Sequence, residues 1–356
     1  MNYHVVQDPE QVREVLRRVE DFLPTNALTS VVPLSPAALR VLSRSRFALP
    51  PVLASATGDL HRKVRSVVAG FFSPAKVAAV GPRVRELTRK HAAAAAADLA
   101  AGPVDLADAI ARHIPPVIMQ ELTGFALPEP EVLKRWSRDS LELFWGWPEP
   151  DRQLELAATA AEFYTWLRAS VLASRGDDSL FGALHAAGLS TAEVCSLGYF
   201  LLIAGQETTA LLIGTVLYRA LQDSEGWRRL AAGGSGTPLV RSVLATEPSV
   251  HTWRRACPQD TVLGGTKLPA GAEIVLELAG HHPEDAGPSA YSLSFGYGLH
   301  RCLGARLAEL ETVLAVEETA RTLPELRLAG SEPQWLRLLS FQAPLTVTVA
   351  LEPHES

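Results

Sequence analysis

Residues 191–221 form the stretch that most constrains the fold of this chain. They contain no proline and are apolar on most sides of a helix. A helix that is apolar almost all round has to be covered by other elements, since its faces cannot remain in water. The sequence therefore predicts one long central helix from Thr191 to Leu221, with the rest of the fold built around it.

The patterns on either side of this stretch are mainly helical. A short strand from Tyr3 to Gln7 is expected first, and Asp8-Pro9-Glu10 is typical of a helix start, so a helix should follow to about Phe22. Further helices are expected near residues 61–72, 82–101, 110–124, 129–143, 152–174 and 303–323. Residues 23–56 are rich in proline and serine and predict irregular chain.

Strand patterns occur late in the sequence. Residues 261–263, 267–271 and 274–278 resemble a hairpin with a turn, and Leu345–Leu351 alternates as a terminal strand does. The sequence therefore predicts a mainly α fold with a small β region, formed as a single domain over residues 1–356.

The composition narrows the class of protein. The chain has 356 residues, of which 47% are hydrophobic, and a formal net charge of −6. Such a chain, with no clustered basic surface, does not favour nucleic-acid binding. Neither a signal peptide nor a membrane span is indicated, and three cysteines without a CxxC pair are typical of a reducing compartment. We therefore expect a soluble, cytoplasmic protein.

The segment from Phe295 to Ala305 carries the strongest chemical pattern, with glycines at 296, 298 and 304 around Cys302. Glycines let the backbone approach a large flat group, and the start of a helix favours a thiolate over a thiol. Taken alone, Cys302 could equally be a small buried hydrophobic residue.

The whole segment resembles the haem-binding loop of cytochromes P450. The resemblance implies that Cys302 is the proximal thiolate ligand to the iron of haem b. It also implies that Phe295 packs near the sulfur, that Gly296 and Gly304 shape the loop, and that His300 reaches a haem propionate.

The middle of the predicted central helix resembles the oxygen-binding part of the same family. By that resemblance Ala204 and Gly205 leave room above the haem, while Glu207 and Thr208 form an acid–alcohol pair that delivers protons. A tolerated kink with a partly exposed glutamate is the alternative, since threonine hydroxyls bend helices.

Two further segments match basic residues that bind haem propionates in the family. His61 and Arg65 lie four residues apart and so share one helix face, and Arg255 lies before the late strands. A solvated basic face is the alternative for the first pair. His281 and His282 belong to no motif, and Phe144-Trp145-Gly146-Trp147 lines either the substrate entrance or the core.

The sequence departs from the family in one network. Cytochromes P450 carry Glu-x-x-Arg where this chain has Ser242 and Ala245, and the segment between Glu284 and Phe295 is short. If only the glutamate or only the arginine were missing, the other would be a buried charge without a partner. Because both are replaced, the sequence predicts that Ser242 and Ala245 form an apolar contact with the short segment between Glu284 and Phe295.

The resemblance implies a monooxygenase of natural-product biosynthesis. Its expected partners are a small-molecule substrate, which a carrier protein could present, and a ferredoxin with its reductase. Two alternatives stay open: an activating partner of another biosynthetic enzyme such as a glycosyltransferase, and a haem-thiolate protein with peroxide-driven or redox-neutral chemistry.

Overall fold

The computed structural model describes residues 3–280 and 290–352, and most of these residues lie in helices. The α-helices in the described ranges are α1 (Pro9–Arg17), α2 (Pro36–Arg44), α3 (Gly58–Phe71), α4 (Pro74–Ala79), α5 (Gly81–Leu99), α6 (Leu106–Ala109), α7 (Ile114–Thr123), α8 (Pro130–Trp145), α9 (Pro150–Ala173), α10 (Leu180–Ala186), α11 (Thr191–Ala204), α12 (Glu207–Gln222), α13 (Ser224–Ala231), α14 (Thr237–Thr246) and α15 (Ala305–Thr322). Short 3₁₀ helices cover Leu53–Ser55, Ala111–His113, Ala290–Phe295 and Gly298–His300.

The strands are short and form small sheets. They are β1 (His4–Val6), β2 (Val104–Asp105), β3 (Thr252–Ala256), β4 (Thr261–Leu263), β5 (Thr266–Leu268), β6 (Glu273–Glu277), β7 (Leu326–Leu328), β8 (Trp335–Arg337), β9 (Gln342–Pro344) and β10 (Thr348–Leu351). The larger sheets have the strand orders β1-β6-β3 and β2-β10-β7, and β4-β5 and β8-β9 are hairpins. The predicted mainly α fold with a small β region is confirmed.

One strand pairs differently from the prediction. Only β4 and β5 form the expected hairpin, whereas β6 lies between β1, which is parallel to it, and β3, which is antiparallel. Residues Ile274, Val275 and Leu276 of β6 are buried, and a strand buried on both faces needs partners along both edges. Pairing with β1 therefore ties the beginning of the chain to its late β region.

The segment from residue 23 to 56 contains a helix that the sequence analysis missed. Ser35 caps α2 by accepting a hydrogen bond from the Ala38 N–H, and Pro36 occupies the first turn. Proline there stabilises a helix start, because the first N–H groups have no partner within the helix. The prediction of irregular chain was therefore wrong for Pro36–Arg44.

The central helix is interrupted, which corrects the prediction of one continuous helix. It runs as α11 to Ala204 and resumes as α12 at Glu207, with Gly205 and Gln206 in a turn between them. Polar side chains cause the interruption by bonding outside the helical ladder. Gln206 donates to Ser137 of α8 at 2.7 Å, and the Thr208 hydroxyl donates to the Ala204 carbonyl at 2.6 Å.

The two central helices lie in the core. By length and composition Thr191–Gln222 would suit a membrane, but 67% of its most apolar window is buried inside the protein. Helices α5, α13 and α14 pack around α15, which packs in turn against α12. The burial is that of a core helix, as the apolar pattern predicted.

Ser242 and Ala245, which the sequence analysis assigned to the Glu-x-x-Arg positions, lie on α14. Ala245 is buried, but Ser242 is exposed, so the prediction that both face one apolar contact is wrong for Ser242. Backbone bonds hold α14 instead: Gly280 N–H donates to the Ala245 carbonyl, and the Ser294 hydroxyl donates to the Leu244 carbonyl. His281, His282 and Glu284 lie outside the described residues.

Glu311 in the middle of α15 generates a prediction about pH. It is fully buried, neither of its carboxylate oxygens has a hydrogen-bond partner among the described residues, and burial raises its pKa to about 8. The folded protein therefore keeps this proton while the unfolded chain releases it near pH 4.5. The free energy of unfolding should fall as pH rises from 4.5 to 8, by about 4 kcal/mol from this group.

Glu311→Gln should remove that pH dependence, which urea titrations at several pH values would measure. Glu309→Gln is the matched control, because Glu309 lies on the same helix but pairs with Arg241 at 2.8 Å. An unchanged slope in Glu311→Gln would mean that Glu311 is ionised in the folded protein.

Candidate functional site

A mostly apolar cavity lies among α3, α7, α11, α12, α15 and the loop before α15. Its polar side chains are few, and most of them lie on α3, on β3 and in that loop. The sequence-predicted residues that line it are His61, Arg65, Ala204, Gly205, Thr208, Arg255, Phe295, Gly296, His300, Cys302 and Gly304. The fold thus gathers segments far apart in the sequence around one space.

Backbone hydrogen bonds fold the cysteine loop into an arch. The Cys302 N–H donates to the Phe295 carbonyl at 2.8 Å, and Gly296 N–H donates to the Leu293 carbonyl at 2.8 Å. Gly296 and Gly298 have φ of 71° and 65°, which favours glycine. A Cβ on Gly298 would also lie 3.1 Å from the Leu16 carbonyl, so α1 packs tightly on the arch.

The surroundings of Cys302 act on its thiol in opposite directions. Cys302 is exposed on the cavity surface, but desolvation by the surrounding protein raises the pKa of its thiol. The Gly304 N–H and the positive charges of Arg65 and Arg301 lower this pKa, and the net shift is upward. The N–H at the start of α15 thus acts in the direction that the sequence predicts, towards the thiolate. A bound metal cation would supply the missing stabilisation of a thiolate.

Two histidines meet near the end of the cavity that holds the basic residues. His61 of α3 is fully buried, neither ring nitrogen has a partner among the described residues, and its ring lies edge-on to His300 with centroids 4.8 Å apart. His300 Nε2 lies 2.8 Å from the Ala56 carbonyl, while its buried Nδ1 has no partner in the described ranges 3–280 and 290–352. Burial lowers the pKa of His300 to about 4.

Two arginines complete this basic group. Arg255 of β3 is almost fully buried, burial lowers its pKa to about 10, and its Nε has no partner in the described parts of the chain. Arg65 donates to the Arg301 carbonyl at 2.8 Å. Buried guanidinium groups without a carboxylate partner are costly, and an anion bound in the cavity would relieve that cost.

These residues fit the haem that the family resemblance implies. Among the described residues, buried nitrogens of His61, Arg255 and His300 lack a hydrogen-bond partner. These three residues border the cavity together with Arg65, as two carboxylates on one edge of a macrocycle require. Cys302 borders the same cavity and supplies a sulfur donor, and most of the remaining lining is apolar. The residues would therefore hold a flat, dianionic, metal-containing group.

The interrupted turn of the central helix divides the two residues of the predicted acid–alcohol pair. Thr208 borders the cavity, whereas Glu207 is buried outside its lining. One Glu207 oxygen lies 2.5 Å from Lys134 Nζ on α8, and the other is buried without a partner among the described side chains. The carboxylate is therefore held by α8.

The sequence analysis missed Lys134, Ser137 and Ser249, which all contact this turn. Lys134 and Ser137 lie three residues apart and share one face of α8, where they meet Glu207 and Gln206. Helical spacing could have placed these two side chains together, but only the packing of α8 reveals their partners. Phe144 and Trp145 are core residues, and Trp147 is exposed.

The ion pair between Lys134 and Glu207 generates a stability prediction. Lys134→Met should lower the free energy of unfolding by about 1–3 kcal/mol, because it strands a buried carboxylate; the Lys134 side chain is 32% exposed, which reduces the effect. Adding Glu207→Gln should recover part of the loss. The adjacent Arg135→Met, which breaks an exposed pair with Glu162, should cost under about 1 kcal/mol in the same urea titrations.

Comparisons with known proteins agree with this site. No protein-family model matches the sequence. Erythromycin C-12 hydroxylase of Saccharopolyspora erythraea is 30% identical over 280 residues, which cover 72% of this chain and 69% of the relative. Cytochrome P450 monooxygenase PikC of Streptomyces venezuelae is 30% identical over 294 residues, which cover 75% of this chain and 68% of the relative.

Solved structures extend the likeness to nearly the whole chain. Cytochrome P450 CREJ in complex with (4-ethylphenyl) dihydrogen phosphate superposes with a TM-score of 0.89 at 25% identity, over 98% of this chain and 92% of that one. Sequence relatives at 30% identity and a shared fold point to one family. The chain therefore belongs to the cytochrome P450 superfamily of haem-dependent monooxygenases.

Proposed function

We propose that this chain binds haem b through the Cys302 thiolate and hydroxylates a C–H bond of a small natural-product intermediate. The observation that carries the proposal is the content of one cavity. It combines the Cys302 sulfur, the basic group His61, Arg65, Arg255 and His300, and the interrupted turn at Gly205. Most of the other residues in its wall are apolar.

Different residues of the chain would bind the haem and deliver protons. When bound, haem with a thiolate ligand supplies the reduction of dioxygen by two electrons and two protons, so that one oxygen atom enters the substrate and the other leaves as water. The basic group would hold the two propionates. Thr208 would hold a proton-donating water at the cavity, and Glu207 would relay protons from the side of α8.

The cavity wall supports an uncharged, apolar substrate. Phe200, Leu201, Val250 and Phe341 border the cavity, and among its lining residues the charged side chains are those of Arg65, Arg255 and Arg301. A substrate bearing a carboxylate would find no partner beside the aromatic residues. One named relative hydroxylates erythromycin at C-12, which supports a natural-product intermediate here, either free or presented by a carrier protein.

The absorption spectrum of the reduced, CO-treated protein tests the proposal. With haem supplied during expression, the purified protein should show the red-shifted Soret band of a thiolate–Fe(II)–CO complex. Cys302→Ala should lose that band, whereas Cys257→Ala, which changes a buried cysteine away from the cavity lining, should keep it. A wild-type protein that binds no haem would instead support the alternative of an activating partner for another enzyme.

We further propose that a cytoplasmic ferredoxin, reduced by its reductase, donates the electrons. Arg301 lies in the cysteine loop and Arg306 in the first turn of α15, and both are exposed, as is Lys63 on α3. These three side chains are the candidates to face the acidic surface of the ferredoxin. The rate of haem reduction should therefore fall severalfold as salt rises from low concentration to above 0.1 M, where charges are screened over ~10 Å.

Arg306→Gln should slow the reduction at low salt and weaken its salt dependence. Arg40→Gln, which removes an exposed arginine of α2, should change neither. Stopped-flow reduction with a surrogate ferredoxin measures both variants, and salt-independent rates would reject this surface.

A further inference from the structure

Ser249 lies in the loop between α14 and β3 and contacts the interrupted turn of the central helix. Its side chain is buried and borders the cavity, and its hydroxyl donates a 2.8 Å hydrogen bond to the backbone carbonyl of Thr208. A helix carbonyl ordinarily accepts only the N–H four residues later. The bond from Ser249 is therefore an additional tether on the residue that carries the cavity hydroxyl.

The loop that holds Ser249 is fixed on both sides. Glu247 forms a paired contact with Arg219 of α12, with N–O distances of 2.7 and 2.8 Å. The Ser249 carbonyl accepts from the Gln342 N–H at 3.0 Å, and Val250 forms a β-bridge with Phe341. Ser249 thus has little freedom to follow the helix, so its hydrogen bond constrains where Thr208 lies.

The Thr208 side chain depends on this constraint. Its hydroxyl hydrogen is committed to the Ala204 carbonyl at 2.6 Å, across the interrupted turn, which leaves the oxygen lone pairs to accept a hydrogen bond from the cavity. Because the Thr208 carbonyl and hydroxyl belong to one residue, a shift of the carbonyl by a few tenths of an ångström redirects the lone pairs.

We propose that Ser249 is a positioning residue, which holds the Thr208 hydroxyl in the orientation that receives a water in the cavity. The inference rests on the proposed role of Thr208 in proton delivery. Pro248 and Val250, on either side of Ser249, border the same cavity. The hydrogen bond thus connects Ser249, which lies in the cavity wall, to Thr208, the residue with the proposed role in proton delivery.

The test measures, without substrate, how much of the reduced dioxygen is released as peroxide and how much is reduced to water. With a surrogate ferredoxin, its reductase and NADPH, dioxygen takes either two electrons and two protons to form peroxide, or four of each to form two waters. Poor proton delivery favours early release of peroxide. Ser249→Ala and Thr208→Ala should each raise the peroxide released per NADPH at least about twofold, because delivering a positioned proton is typically worth 10²–10⁴-fold in rate.

The double variant decides whether Ser249 acts through Thr208. Ser249→Ala should add nothing in a Thr208→Ala background, since coupled residues are not additive. Ser249→Thr should retain the wild-type ratio. Thr246→Ala is the matched control, because it removes a hydroxyl-to-carbonyl bond of 2.9 Å within α14 that does not touch α12.

Hydrogen exchange gives a second measurement that requires no turnover. In the haem-bound protein, the amides of residues 208–213 should exchange about tenfold faster in Ser249→Ala than in the wild type, and unchanged in Thr246→Ala. If Ser249→Ala does not load haem, the larger Ser249→Cys, with its weak donor, takes its place in both measurements.

The outcomes separate this inference from the proposed function. A raised peroxide ratio in Thr208→Ala with an unchanged ratio in Ser249→Ala would overturn the role of Ser249 and keep that of Thr208. A double variant that exceeds Thr208→Ala would also overturn it, because Ser249 would then act independently. Absence of the thiolate–CO band in the wild type would reject the proposed function itself.

Discussion

The interruption of the central helix at Gly205 and Gln206 is the constraint on which the site depends. A helix buried in a core normally satisfies its own backbone groups and presents only apolar side chains. Here the helix is interrupted at Gly205 and Gln206, and side chains from other elements form hydrogen bonds with residues at the interruption. Ser137 accepts from Gln206, and Ser249 donates to the Thr208 carbonyl. The Thr208 hydroxyl beside the interruption borders a cavity whose lining is mostly apolar.

A second constraint is the concentration of positive and ionisable groups at one end of that cavity. His61 and Arg255 are buried with nitrogens that have no partner in the described part of the chain, and a buried guanidinium without an anionic partner lowers stability. The thiol of Cys302 borders the same cavity, and a bound cation would favour its thiolate form. One ligand that carries a metal and two carboxylates, as the proposed haem does, would satisfy both the sulfur and the basic group.

The structure shows which contacts hold α14, where the sequence analysis assigned Ser242 and Ala245 to the Glu-x-x-Arg positions. Helix α14 is held by backbone bonds from Gly280 and by the hydroxyl of Ser294, and Arg241 bridges to Glu309 on α15. Hydrogen bonds from neutral donors to main-chain carbonyls bury no charge. They therefore do not require an oppositely charged partner, as each member of a buried ion pair does. The cysteine loop that follows can therefore keep its arch without that network.

The sequence by itself determined the elements and the chemistry that local patterns encode. Capping residues and prolines mark helix starts such as that of α1, glycine spacing marks the arch around Cys302, and apolar periodicity marks the buried central segment. Only the tertiary structure decided where the central helix breaks, that Glu207 pairs with Lys134, and that Ser249 tethers Thr208. The reason is physical: local signals act over a few residues, whereas these contacts join residues 41 or 73 positions apart, and only packing brings them together.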